Sequence, residues 1–221
     1  MAYNLLKKFL IIILRGGIDI RLLIIRHGQS QADIEKRHEG RADFPLTKLG
    51  IKQAGLLSRW IAKNYLPDYI LSSTLKRAAQ TAGLIGNETG VKVESMSELM
   101  EFNNGLLAGL PFEEAAAKYP RPAVKNLHDK IYEQESMIEF RSRAEVVLSR
   151  IMHEFPQDKT VAVVTHGGMI NMLFRSFINL PLVTEVSVNT SDTGVHLWTW
   201  EEGKRHIIFM NRTDHLIESG I

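Results

Sequence analysis

Apolar residues in this chain fall into short unbroken runs that alternate with stretches of helical spacing. Leu22-Leu23-Ile24-Ile25 is such a run, closed by Arg26, and has the pattern of a strand buried on both faces. Thr47 stands as a cap before Ile51, Ala54, Leu57 and Ile61, which share one face of a predicted helix. Tyr69-Ile70-Leu71-Ser72 reads as a second strand, Leu75 to Ile85 as a helix stopped by Gly86, and Val91-Lys92-Val93 as a third, edge-like strand. From Ser97 to about Ser136 the spacing is irregular and punctuated by Pro111, Pro120 and Pro122, with one short helix predicted from about Phe112 to Tyr119. Ala144, Val147, Ile151 and Phe155 mark a long amphipathic helix. Val161-Ala162-Val163-Val164 is the clearest buried strand; it ends in Thr165-His166-Gly167-Gly168, and a helix follows to about Ile178. Val195 to Trp200 and His206 to Met210 are predicted to close as a hairpin across Glu201-Glu202-Gly203.

Strand following helix in this way predicts an α/β fold, a three-layer sandwich around a mostly parallel central sheet. The 221 residues suit a single domain, placed at residues 21–221, with residues 97–136 as a small lid-like insert over the site. Composition changes this picture little: 44% hydrophobic and 24% charged residues describe an ordinary globular chain. A net charge of only +2 gives no electrostatic reason to expect a nucleic-acid binder. The absence of cysteine removes disulfides, thiolate catalysis and Cys-ligated zinc, and suits a cytoplasmic enzyme. Residues 1–20 stand apart as an N-terminal extension, in which Lys7 and Lys8 precede the apolar run Phe9 to Leu14. Six apolar residues fall short of the roughly 20 a membrane span needs, so no stable membrane insertion is expected. An added helix or strand, a misplaced start codon, or a weak membrane or homodimer contact all remain open.

Candidate chemistry gathers where the predicted strands end, because ligands of open α/β sheets collect at strand carboxyl ends near helix N-termini. Two strands end in histidine beside glycine, Arg26-His27-Gly28 and Thr165-His166-Gly167-Gly168, and a third ends in Ser72-Ser73 with Arg77 on the next helix. A lone histidine at a strand end is usually structural; two, flanked by arginines, suggest a phosphate site. Arginine forks match phosphate oxygens and stay charged at any working pH. A neutral imidazole nitrogen is a nucleophile when its other nitrogen is held as a donor. A second imidazole and the arginines can hold charge on a loose phosphoryl transition state, and a carboxylic acid can protonate the leaving oxygen. No metal or other cofactor is required, and a two-histidine metal site is the lesser reading because few carboxylates accompany the pair.

At this point the sequence resembles a known family. Arg26-His27-Gly28-Gln29-Ser30 is similar to the RHG signature of the histidine phosphatase (phosphoglycerate mutase-like) superfamily. Gly40 to Gly50, Ser72 to Thr81 and Val164 to Gly168 resemble further family segments in the same order, so the resemblance spans roughly residues 21–215. It implies that His27 is the phosphorylated nucleophile and that Arg26, Arg77 and His166 form the phosphate pocket, with Gly28, Ser30 and Gly167 beside the substrate. Leu99-Met100-Glu101 and Gly105 match the family pattern for the proton donor, which implies Glu101 in that role, with Glu98 as its rival. Two departures stand near the substrate: Asp33 where the family usually has a phosphate-touching Asn, and Leu107-Ala108-Gly109 where Trp-Glu-Gly is common. Asp33 therefore either meets the substrate or caps local backbone and pairs with Lys36 or Arg37.

Phosphatases and mutases of this kind share the first half-reaction and differ in what attacks the phosphohistidine. Lys118, Arg121, Lys125 and Lys130 in the insert lack the paired arginines of the glycolytic mutases, and Glu135-Ser136 resembles the phosphatase branch. The expected activity is thus a metal-independent phosphatase acting on a small phosphorylated metabolite. A mutase, or a non-catalytic phospho-ligand binding module, is the alternative.

Overall fold

The computed structural model describes residues 19–217 and 219–220. The expected N-terminal extension lies outside the described residues except for Asp19 and Ile20, and Ile20 already opens the first strand. The strands are β1 (Ile20–Arg26), β2 (Tyr69–Ser73), β3 (Val93–Met96), β4 (Lys159–Thr165), β5 (Val195–Glu201) and β6 (Lys204–Arg212). The helices are α1 (Gln31–Glu35), α2 (Lys48–Asn64), α3 (Lys76–Thr89), α4 (Phe112–Lys118), α5 (Met137–Glu154), α6 (Gly167–Phe177) and α7 (Asp214–Ile217). One sheet holds all six strands in the order β3-β2-β4-β1-β5-β6. β1 to β4 are mutually parallel, whereas β5 runs antiparallel to both β1 and β6 and forms the predicted hairpin.

The unbroken apolar runs become central strands because both sheet faces are covered. Leu22, Ile24, Val161 and Val163 face α5 and α6 through Phe140, Val147, Ile151, Ile170 and Leu173. Leu23, Ile25, Ala162 and Val164 face α2 and α3 through Leu57, Ile61, Ala78, Ala82 and Ile85. The result is the three-layer sandwich expected.

Three local readings are corrected. α3 does not stop at Gly86; it runs to Thr89 and ends on Gly90, whose φ of +74° is the left-handed cap that glycine accepts without strain. Gly86 instead allows close approach, since a Cβ there would lie 2.9 Å from the Val93 side chain. The third strand is Val93–Met96, displaced from Val91–Val93, and Val91 packs beside the core ahead of it. Ile51 is 49% exposed, because α2 buries Gly50, Gln53, Ala54, Leu57, Ser58 and Ile61. Gly50 sits against the backbone of Gln29, and that contact sets the helix rotation.

The insert holds α4 and three short 3-10 turns, Ser97–Leu99, Gly105–Leu107 and Ile131–Glu133. It is tied to the loop after α1: His38 N–H donates to Leu110 O at 3.0 Å, Gly109 N–H to His38 O at 2.7 Å, and Arg37 Nη1 to Gly109 O at 2.8 Å. Among the described residues no helix is long and apolar enough to cross a membrane.

Candidate active site

β1 and β4 are paired in register, Arg26 opposite Thr165, so the residues that follow them, His27 and His166, emerge side by side. Their rings meet edge-on with centroids 5.0 Å apart. β2 lies on the other flank of β4 and brings Ser73 to His166, with 2.8 Å between Ser73 Oγ and His166 Nε2. Both histidines are buried.

The tautomer of His27 follows from its two partners. Nδ1 lies 2.7 Å from the Gly28 carbonyl, an acceptor only, so Nδ1 carries the hydrogen. Nε2 in turn accepts from Arg77 Nε at 3.2 Å, so its lone pair is free of a proton. Burial, reinforced by the Arg77 and Arg26 charges, holds the His27 imidazole well below the usual histidine range and keeps it neutral. Gly28 permits the tight turn: a Cβ there would lie 2.7 Å from the Gly50 carbonyl oxygen. Its N–H donates to Thr81 Oγ1 at 3.2 Å.

Arg77 is wholly buried. Its Nη1 and Nη2 donate to the carbonyls of Ala42 (3.0 Å) and Gly40 (2.9 Å), which fix the guanidinium while Nε faces His27. Arg26 donates from Nη1 to Thr190 O at 2.6 Å, and its Nη2 lies 3.4 Å from Asp192. His166 is also held well below the usual histidine range, by burial and by the neighbouring His27, Arg77 and Arg26.

The charge of Glu101 acts on Arg77 in this cluster, whereas the Glu98 carboxylate accepts from the exposed Ser97 hydroxyl. The Glu101 carboxyl group accepts from Gly168 N–H at 2.8 Å and Phe102 N–H at 2.7 Å, which sets it at the N-terminus of α6. Asp33 takes the capping option: its Oδ2 accepts from Ser30 N–H at 2.7 Å while Ser30 Oγ accepts from Asp33 N–H at 3.3 Å, a reciprocal box at the start of α1. Ser30 is buried there, and Gly167 opens α6 within 4.0 Å of Arg26 Nε, measured from the position a Cβ would take.

Three contributors lie beyond those the sequence points to. Glu39 lies inside the cluster, 3.8 Å from His27 Nε2 and 3.4 Å from Arg77 Nε, and accepts from the Ser30 hydroxyl. In the sequence it ends the charged run Glu35-Lys36-Arg37-His38-Glu39 and reads as solvated loop; its one signal is its place before Gly40, where the family-like segment begins. Arg143, one cation among several on α5, clamps the turn carrying Glu101: Nη1 donates to Glu98 O (2.6 Å) and Met100 O (2.8 Å), and Nη2 to Glu101 O (3.2 Å) and Glu135 (2.7 Å). Thr165 Oγ1 donates to Leu99 O at 2.6 Å and ties the same turn to β4.

A sheet whose strand ends carry paired histidines and arginines defines a class, and comparison with known proteins gives its name. Residues 22–213 match the family model of the histidine phosphatase superfamily (branch 1). The chain belongs to that family. It is 30% identical over 151 residues to the uncharacterized phosphatase PhoE of Bacillus subtilis (strain 168), covering 68% of this chain and 73% of that one. Over 170 residues it is 29% identical to a protein named probable phosphoglycerate mutase GpmB from Yersinia pestis (strain Pestoides F), covering 75% and 78% of the two chains. Among solved structures, it is similar to mycobacterial glucosyl-3-phosphoglycerate phosphatase in complex with VO3, with a TM-score of 0.75, 25% identity, and 86% and 98% of the chains covered.

Proposed function

We propose that this protein is a metal-independent phosphatase that hydrolyses a small phosphomonoester through a phosphohistidine on His27. The observation that carries this reading is the His27 tautomer, with Nδ1–H anchored on the Gly28 carbonyl and an unprotonated Nε2 turned to Arg77. In the first step the Nε2 lone pair attacks phosphorus, the P–O bond to the leaving group breaks, and Glu101 delivers its proton to the departing oxygen. Water then attacks the phosphohistidine, Glu101 takes a proton from it, and the P–N electrons return to Nε2. Arg26 supplies charge and His166 a hydrogen bond to the phosphoryl oxygens; Arg26 Nε and His166 Nδ1 are buried atoms without a partner among the described residues.

Glu101 and Glu39 are each followed or preceded by a residue, Phe102 and His38, that lines a cavity of about 590 Å³ with Tyr119, Arg121 and Lys125. The rest of the substrate would lie there, and its rings and cations suit a small polar or anionic leaving group. The relative named as a mutase keeps phosphoryl return to a retained intermediate as the second reading. Quenching with denaturant at alkaline pH should trap label from labelled substrate on the wild-type protein, in a form released by acid, with turnover undiminished by chelator, and His27→Ala should lose both label and turnover. Full activity in His27→Ala would falsify the mechanism; interconversion of phosphoglycerates faster than their hydrolysis would select the mutase.

A further inference from the structure

Glu39 sets a carboxyl group where the proposed reaction requires a phosphate. A phosphoryl group poised for attack brings its phosphorus to about 3–3.5 Å from the nucleophilic atom, here His27 Nε2, with its oxygens one bond further out. Glu39 Oε2 already stands 3.8 Å from that nitrogen. The phosphoryl oxygens would therefore lie against the Glu39 carboxyl, and two anions in contact repel unless one is neutralised.

The surroundings of Glu39 decide which form it takes. Arg77 from α3 and Ser30 from α1 touch it; His27 and Arg26 at the end of β1 and Asp33 on α1 are the other charged or titratable groups facing it. Among the described residues Arg77 is the one cation in contact, and its two terminal nitrogens are already held by the Ala42 and Gly40 carbonyls. Ser30 donates to Oε1, which leaves Oε2, the oxygen nearer His27, as the place for a proton. Burial raises this carboxyl above the usual range against the pull of Arg77 and Ser30, and Asp33 pushes the same way.

Resting on the phosphatase reading, we infer that Glu39 is a specificity-determining residue of the phosphate pocket: it takes one proton from solvent as a phosphomonoester binds, and donates that O–H to a phosphoryl oxygen. No substrate bond changes in this step. A carboxylate, a proton and a phosphate dianion combine into a complex in which the carboxyl is neutral. Oxyanion binding is then linked to proton uptake, and the pocket fills more readily on the acid side than an arginine–histidine site alone would.

The probe is tungstate, a tetrahedral oxyanion that remains a dianion through the neutral range, titrated into the full-length wild type and Glu39→Gln. His27 and His166 can also gain protons when an anion binds, but they do so in both proteins, so the difference between the two isolates Glu39. The ratio of dissociation constants, wild type over Glu39→Gln, should rise about tenfold per pH unit on the alkaline side of the Glu39 titration. Calorimetry in two buffers of different ionisation enthalpy should show the wild type taking up about one proton more than Glu39→Gln. Circular dichroism confirms that the isosteric variant is folded. A ratio independent of pH, alongside p-nitrophenyl phosphate turnover by the wild type, overturns the role of Glu39 and leaves the phosphatase reading standing. Absence of tungstate binding to either folded protein at every pH overturns both.

Discussion

At Glu101 each carboxylate oxygen accepts from a different peptide group, one in its own turn and one on α6, so the side chain is aimed before substrate arrives. Glu101→Gln keeps the size and one acceptor and removes the transferable proton. It should cut turnover of an alkyl phosphate by about 10²–10⁴-fold and of p-nitrophenyl phosphate far less, because the aryl leaving group departs without a proton. Steady-state rates on the two substrates decide this, and an equal loss on both would move the acid elsewhere. Residues at strand ends were the most legible in the sequence. His27, Arg77 and His166 are forced together by an apolar pattern that fixes which strands are buried. Glu39 was not legible, because a carboxylate in a charged loop gives no sign that the loop folds back over a histidine. Asp33 was legible only as a choice between substrate and cap, and the bond from Ser30 N–H supplies the cap.

At the scale of the element, α6 begins with two glycines, and the second has a specific neighbour. A Cβ on Gly168 would collide with the Glu101 carboxylate. Alanine favours a helix over glycine by about 1 kcal/mol, so Gly168→Ala should fold at least as well as the wild type yet displace the acid. The expected phenotype is that of Glu101→Gln, a selective loss on poor leaving groups without a fall in thermal midpoint. An unaltered rate ratio between alkyl and aryl substrates would show that the carboxylate moves aside freely. Element existence and type were readable from spacing alone, since long buried runs and i, i+3, i+4 stripes leave few choices. Boundaries were not: Gly86 and Gly90 look alike in sequence, and only the approach of Val93 to one and the positive φ of the other tell them apart. Ile51 failed for a related reason, because helix rotation depends on the contact of Gly50 with Gln29 in another segment.

Across the whole molecule, four histidines are buried and held neutral. His27 and His166 lie well below the usual range, and burial lowers His196 and His215 to about 4. The unfolded chain protonates the same residues near about pH 6.5. Their contribution is therefore fully present above that value and lost as pH falls toward about 4, at up to about 1.4 kcal/mol per histidine per pH unit. Glu39 and Asp192, whose carboxyls are raised chiefly by burial, gain protons in the folded state first and oppose the loss, in a lower window. Thermal midpoints should fall steadily from about pH 7 to about pH 5. A flat profile across that interval would mean that the histidines charge without unfolding the chain.

The order of strands has a consequence for how the protein comes into being. β1 and β2 never touch, for β4 lies between them, paired to both. A ribosome making this chain releases His27, Arg77 and Glu101 well before β4, yet none of them can form the cluster while the middle of the sheet is vacant. When β4 enters it joins two half-sheets, seats His166 beside His27 and Ser73, and through Thr165 draws in the turn bearing Glu101. Assembly of the cluster is thus postponed to the last part of synthesis: its centre waits for β4, and Arg26 waits further still for Thr190 and Asp192 to be made.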